Sequence, residues 1–331
     1  MANLRAGLIG LGMMGRHHAR NLHALDGVDL VAVADAQGDP HGVAGDAPLF
    51  SSVEELIEQK LDYCVVAVPT HLHHEIGTKL AAAGVHALIE KPLAETTKSA
   101  EDLARVFSDA GLIAAVGHIE RYNASLQQLR RRIDDGELGD VYQISTFRQG
   151  PFPARIADVG VVKDLASHDI DLTSWVMRSG YKDVSARTAH KSGRPHEDMV
   201  IATATLENGV IANHTVNWLS PVKQRQTVVI GERGMFIADT LTADLTFYAN
   251  ASVPSDWGEM SHFRGVAEGD VTRFAIPKPE PLRLEHEQFR DAVLGKADAD
   301  IVTAEQGASV LRVCEAMIES AKTAKTISIG A

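Results

Sequence analysis

The chain has 331 residues, long for one domain and comfortable for two, and enough to bury a large core without staples. Its 32 Lys and Arg against 44 Asp and Glu leave a net charge of −12, which argues against nucleic acid and against an anionic membrane surface as partners. The two cysteines, Cys64 and Cys314, read as reduced core thiols of a cytoplasmic protein; no apolar run is long enough to span a bilayer, and no leader-like segment precedes the first strand.

The first predicted strand, Leu4 to Ile9, runs into Gly10-Leu11-Gly12-Met13-Met14-Gly15, and a helix from about Arg16 to Leu25 follows. Each glycine answers a separate demand of a dinucleotide site. Gly10 allows the tight turn, Gly12 lets a pyrophosphate approach the backbone, and Gly15 lets the helix pack close to the strand. The helix start, with Met13 and Met14, offers N–H groups and a positive dipole end to the phosphates. A second strand, Val28 to Ala34, ends in Asp35, twenty residues after Gly15, where a carboxylate accepts from an adenosine ribose. Asp35 would repel a 2′-phosphate, and Ala36-Gln37 brings no cation, so NAD is favoured over NADP. A glycine-rich turn that binds nothing is the plain alternative, and the strand–turn–helix context argues against it.

After a polar loop, a helix start at Ser51 to Glu54 leads to the apolar strand Tyr63 to Val68. A helix over His71 to Ala83, a strand over Val85 to Ile89, a helix over Ala100 to Ala110 and a strand over Leu112 to Val116 follow. This alternation is that of a doubly wound parallel sheet, whose ligand lies beyond the carboxyl ends of the strands. The residues just past those ends are therefore the cofactor candidates: Pro69, Thr70, His73, Glu90 and Lys91, with Gly117-His118 nearby. Lys91, between Glu90 and Pro92, sits where the nicotinamide should lie, unless it is a solvated lysine at a turn; its X-Pro bond is a candidate cis bond. His71, His73 and His74 invite a metal reading, but the turn they occupy belongs to the dinucleotide and no ligand-spaced Cys or carboxylate cluster accompanies them. His17, His18 and His23 read as helix-surface or packing residues.

Gly117 to Asn123 is a hinge candidate, dividing residues 1–121 from 122–331. A helix from Ala124 to Asp135 follows, then a strand region in which Arg148 and Arg155 flank Gly150-Pro151-Phe152-Pro153. A second helix, about Val161 to Trp175, carries Asp164 and His168 four apart on one face. A carboxylate one turn before an imidazole fixes its tautomer, as a general base requires, though solvated Asp–His pairs are common. From Val184 to Ile276 short β runs predominate, with Asn208-Gly209 a strong hairpin turn. The fold class is thus α/β: a Rossmann sheet, then an α+β domain with a large, open, mostly antiparallel sheet, helices on one face and a second subunit expected on the other, as homodimer or homotetramer. A stiff Pro-rich linker, Ile276 to Pro281, leads to two closing helices.

Taken together, the glycine run, Pro69-Thr70 with His73, Glu90-Lys91-Pro92, Gly117-His118, and Asp164 with His168 make the chain resemble the Gfo/Idh/MocA oxidoreductases over nearly its whole length. Gly117 to Asn123 and Asp158 to Asp164 look most like members acting on nucleotide-linked sugars, of the UDP-N-acetylglucosamine 3-dehydrogenase type. Thr70 stands where Asn is common, and the glycines often found before Asp164 are missing. The resemblance implies NAD(P)-dependent oxidation of a ring hydroxyl to a ketone, with Lys91 and His168 at the hydroxyl and Asp164 orienting His168. Arg121, Arg148 or Arg155 are candidates to hold a substrate diphosphate, or are solvated loop arginines. A cyclitol or free-sugar dehydrogenase would share the trio without a diphosphate site. A non-catalytic NAD sensor would not need Lys91, Asp164 and His168 together.

Overall fold

The computed structural model describes residues 2–152, 159–250 and 268–330. In chain order the elements are β1 (Leu4–Ile9), α1 (Gly15–Ala24), β2 (Val28–Ala34), β3 (Leu49–Phe50), α2 (Val53–Ile57), β4 (Tyr63–Val66), α3 (His73–Ala82), β5 (His86–Glu90), α4 (Thr97–Asp109) and β6 (Ala114–Gly117). There follow α5 (Ala124–Asp134), β7 (Val141–Pro151), α6 (Ser167–Met177), β8 (Tyr181–Ala189), β9 (Met199–Leu206), β10 (Ile211–Asn217) and β11 (Leu219–Gly231). The chain continues through β12 (Gly234–Asp239), β13 (Asp244–Asn250), β14 (Glu268–Arg273), α7 (Pro281–Val293), α8 (Ala304–Thr323) and β15 (Ile327–Ser328).

Two compact units result: Met1–Ile119 with Glu280–Glu315, and Glu120–Pro279 with Ala316–Ala331. The first break falls near the expected 121/122 boundary, but the division is discontinuous, because 280–315 packs with the dinucleotide-type sheet. That sheet is parallel in the order β3-β2-β1-β4-β5-β6, and its central strands are apolar enough to be buried on both faces. One face is covered by Leu56, Ile76, Leu80, Leu103, Phe107 and Leu311, from α2, α3, α4 and α8. The other receives Ala19 and Leu22 of α1, and Phe289 of α7, whose ring meets Tyr63 edge-on at 5.3 Å. Residues 1–121 alone supply too few helices for that second face, and α7 completes it.

The second unit is built on a nine-stranded sheet, β14-β13-β12-β11-β7-β10-β9-β8-β15, antiparallel except for β7 beside β10. Period-two alternation sends Ile144, Val200, Ala202, Ala212, Val216, Val229 and Phe236 to the buried face, under α5 and α6. The opposite face carries Ile201, Ile211, Tyr248 and Val271, 49, 47, 37 and 58 % exposed. β8, of 9 residues, and β11, of 13, are longer than the short runs expected from Val184 to Ile276; both are rich in polar residues on their outer side, which weakens the apolar signal.

Candidate active site

The phosphate-loop geometry follows from its glycines. Gly10 leaves β1 at φ +91°, and a Cβ there would stand 2.4 Å from the Ala67 carbonyl oxygen. A Cβ at Gly15 would stand 1.9 Å from the Gly10 oxygen, so α1 packs directly on the turn. Gly12 differs, with nothing within 4 Å of where its Cβ would be. The fold itself thus demands the outer two glycines, and the middle one leaves open backbone for a ligand. No side chain caps α1 and no acidic residue lies in its first turn; Met13 is exposed and Met14 half-buried beside it. Asp35 accepts from the Leu11 N–H at 2.7 Å and the Gln37 N–H at 2.8 Å, which fixes its carboxylate beside the loop. An open Gly12, an uncapped helix start and a fixed carboxylate at the second strand end fit a dinucleotide.

Along the same carboxyl rim, Pro69 is exposed and Thr70 half-buried in a short 3₁₀ turn after β4. His73 is 1 % exposed, with Nδ1 2.9 Å from the Pro92 oxygen and Nε2 2.9 Å from the Val68 oxygen. It braces two strand-end turns from beneath, and burial lowers its pKa despite the two carbonyls. Lys91 is half-buried at the end of β5, and the Lys91–Pro92 bond is cis. Glu90 accepts from His18 Nε2–H at 2.9 Å and from the Lys91 N–H at 3.1 Å. Burial pushes the Glu90 pKa up, but His18 and Lys91 more than offset it and hold it below the usual value. His18 is therefore not a surface or simple packing residue: it is 0 % exposed, and its Nδ1 lies 3.0 Å from His286 Nε2. The signal was present, since His18 shares a helical face with buried Leu22, and a polar group there needs partners. His74 instead pairs with Asp102 at 2.7 Å on the surface.

In the second unit, Asp164 lies in a widened π turn, Val162–Ala166, that runs straight into α6. Such bulges re-aim side chains and recur at functional positions. The Glu197 carboxylate accepts the Val162 N–H at 3.0 Å, and a Cβ on Gly160 would collide with it at 2.0 Å. Asp164 is 6 % exposed and His168 half-buried, so Asp164 is no solvated surface carboxylate. Arg121 is 5 % exposed and grips Asp171 with both arms of its fork, at 2.9 and 2.6 Å. Arg148 is 4 % exposed and donates to Asp169 at 2.7 Å and to Glu120 at 2.9 Å. Burial opposes the Arg148 charge, yet its two carboxylates raise its pKa overall; burial lifts that of Asp169, which Arg148 only partly counters. These arginines are engaged within the chain. Their partners Asp169 and Asp171 are themselves buried, so each carboxylate needs a cation or donor beside it. Arg155 lies outside the described residues.

A doubly wound sheet with this glycine loop, joined to an open-sheet unit, defines an NAD(P)-binding dehydrogenase. Residues 4–118 match the family described as oxidoreductase family, NAD-binding Rossmann fold, and residues 126–237 match the GFO/IDH/MocA C-terminal domain. The chain belongs to the Gfo/Idh/MocA family of NAD(P)-dependent dehydrogenases acting on CH–OH groups. It is 29 % identical over 297 residues to a UDP-N-acetylglucosamine 3-dehydrogenase of Acidithiobacillus ferrooxidans, covering 88 % of this chain and 90 % of that one. A solved structure of UDP-N-acetylglucosamine 3-dehydrogenase from that organism superposes with a TM-score of 0.82 at 26 % identity, covering 98 % of this chain and 99 % of the other. Inositol 2-dehydrogenase 2 of Saccharopolyspora erythraea is 30 % identical over 221 residues, 63 % of this chain and 65 % of the relative. Among the described residues, no helix is long and apolar enough to cross a membrane, and no group of three or more His, Cys, Asp or Glu is gathered as for a metal ion.

Proposed function

We propose that the chain is an NAD-dependent dehydrogenase that oxidises a ring hydroxyl of a nucleotide-linked sugar of the UDP-N-acetylglucosamine type to a ketone. The observation that carries the reading is the loop open at Gly12 on the same rim as Lys91. Held at the open Gly12 loop and Asp35, NAD⁺ would supply the acceptor for the hydride that leaves the alcohol carbon. Lys91 donates a hydrogen bond to the alcohol oxygen and stabilises its developing charge, while His168 takes the hydroxyl proton as the C=O bond forms. Asp164, buried one turn before His168, orients the imidazole. The fixed Asp35 carboxylate, with Ala36 and Gln37 beside it, disfavours a 2′-phosphate and supports NAD over NADP.

A second reading, a cyclitol or free-sugar dehydrogenase, is favoured by one observation: the Arg121 and Arg148 forks already hold carboxylates, which leaves neither shaped for a diphosphate. The similarity to the inositol dehydrogenase supports the same alternative. NADH formation measured across UDP-N-acetylglucosamine, UDP-glucuronate, myo-inositol and glucose separates them. Turnover confined to the nucleotide sugars supports the first reading, turnover of the polyols the second, and turnover of none overturns both. The exposed sheet face with Ile201, Ile211, Tyr248 and Val271 supports self-association of a cytoplasmic protein, which light scattering reads directly.

A further inference from the structure

We propose that His18, oriented by His286, is a positioning residue for Lys91: through Glu90 it ties the Lys91 turn to the helix that begins at the phosphate loop. The role for Lys91 rests on the dehydrogenase reading; the mechanical link does not. His18 lies in the first turn of α1, three residues after Gly15, and Glu90 is the last residue of β5. An ionised carboxylate only accepts, so His18 Nε2–H is the donor to Glu90 Oε1 in either charge state of the ring, at 2.9 Å. The other Glu90 oxygen receives the Lys91 N–H at 3.1 Å, so one side chain bridges the helix and the lysine's own backbone.

The surroundings are shaped for this bridge. Gly117 pairs with Glu90 across β5 and β6, and a Cβ there would stand 3.2 Å from the carboxylate, so the glycine leaves it room. His286 of α7 is 1 % exposed and meets His18 edge-on, ring planes 73° apart, with its Nε2 3.0 Å from His18 Nδ1. That contact stops the His18 ring from turning its Nε2 away from Glu90, as outer partners orient metal-bound and catalytic imidazoles. Packing alone would be served as well by apolar side chains, without the cost of burying two imidazoles and a carboxylate. Occupancy of the phosphate loop and the placement of Lys91 are thereby coupled through one rigid contact.

Hydrogen–deuterium exchange of the segment 88–95 tests the link without any substrate. In His18→Ala the Lys91 amide should exchange about tenfold faster, as one restraining hydrogen bond is lost. His18→Gln, which returns an amide donor near the Nε2 position, should restore most of the protection. Leu22→Ala, a cavity in the same helix that leaves the His18–Glu90 contact in place, should leave the Lys91 amide unchanged. With a turned-over substrate, His18→Ala should lower kcat about ten- to hundredfold while KM for NAD stays within about threefold, and His18→Gln should recover most of it. Should His18→Ala not fold, His286→Ala against His18→Gln carries the same comparison. Unchanged exchange in the alanine variants, equal acceleration in Leu22→Ala, or failure of glutamine to rescue overturns the proposal. An inactive wild type with the exchange pattern intact would sink the dehydrogenase reading alone.

Discussion

Replacing Gly12 and Gly15 with alanine, one at a time, should separate what the phosphate loop does for the fold from what it does for the ligand. At Gly15 the new methyl would sit 1.9 Å from the Gly10 oxygen, over 1 Å closer than real Cβ contacts, and the atom it meets is backbone. Overpacking of this kind costs about 1–3 kcal/mol or more. At about 2–4 °C per kcal/mol for a domain of this size, Tm should fall by roughly 2–12 °C, and NADH affinity should fall with it. At Gly12 no atom lies within 4 Å of the new methyl. The substitution there should leave Tm unchanged or raise it slightly, since alanine narrows the unfolded ensemble by about 0.4–1 kcal/mol. The same methyl occupies the surface the pyrophosphate approaches, so NADH binding should weaken more than about tenfold, or about 1.4 kcal/mol. Thermal unfolding of the ligand-free protein and NADH titration by fluorescence give the two readouts. A Gly12→Ala protein that binds NADH as tightly as wild type, or loses as much stability as Gly15→Ala, would refute the reasoning.

Arg148→Met should destabilise by about 3–5 kcal/mol in chemical denaturation, because it leaves the buried Asp169 without its cation and the half-buried Glu120 without one of its own; an arginine serving only a substrate would leave stability unchanged. His214 is fully buried, and burial lowers its pKa from 6.5 to about 4. A depressed histidine binds its proton more readily unfolded, so stability is fully present above pH 6.5 and is lost as pH falls towards 4, by up to about 3 kcal/mol; in His214→Gln that share of the loss should vanish. Asp35→Ser should narrow the preference for NAD over NADP by about tenfold or more, read as the ratio of kcat/KM for the two cofactors.

The dinucleotide sheet was legible because its signals are local: Gly10, Gly12, Gly15 and Asp35 sit at fixed offsets within one strand–helix–strand unit. The Lys91 turn was legible for the same reason. What escaped depends on distant chain segments. Nothing near residue 289 announces that Phe289 will close a face of the first sheet against Tyr63. The partner of His18 is 72 residues away in sequence, and that of His286 is 268 away. Arg121 and Arg148 carry the residue type of a phosphate clamp, and only the fold shows that Asp171, Asp169 and Glu120 meet them first. The spacing of Asp164 and His168 marked one helical face, whereas the π turn that holds Asp164, with its Val162 N–H bonded to the distant Glu197, has no periodic signature.

Single-turnover reduction of NAD⁺, with whichever sugar the substrate panel selects, tests the reaction assignment most directly when run on Lys91→Ala and His168→Ala. Both variants should bind NADH with near wild-type affinity yet form NADH about 10²–10⁴-fold more slowly. Near wild-type rates in both would contradict the account.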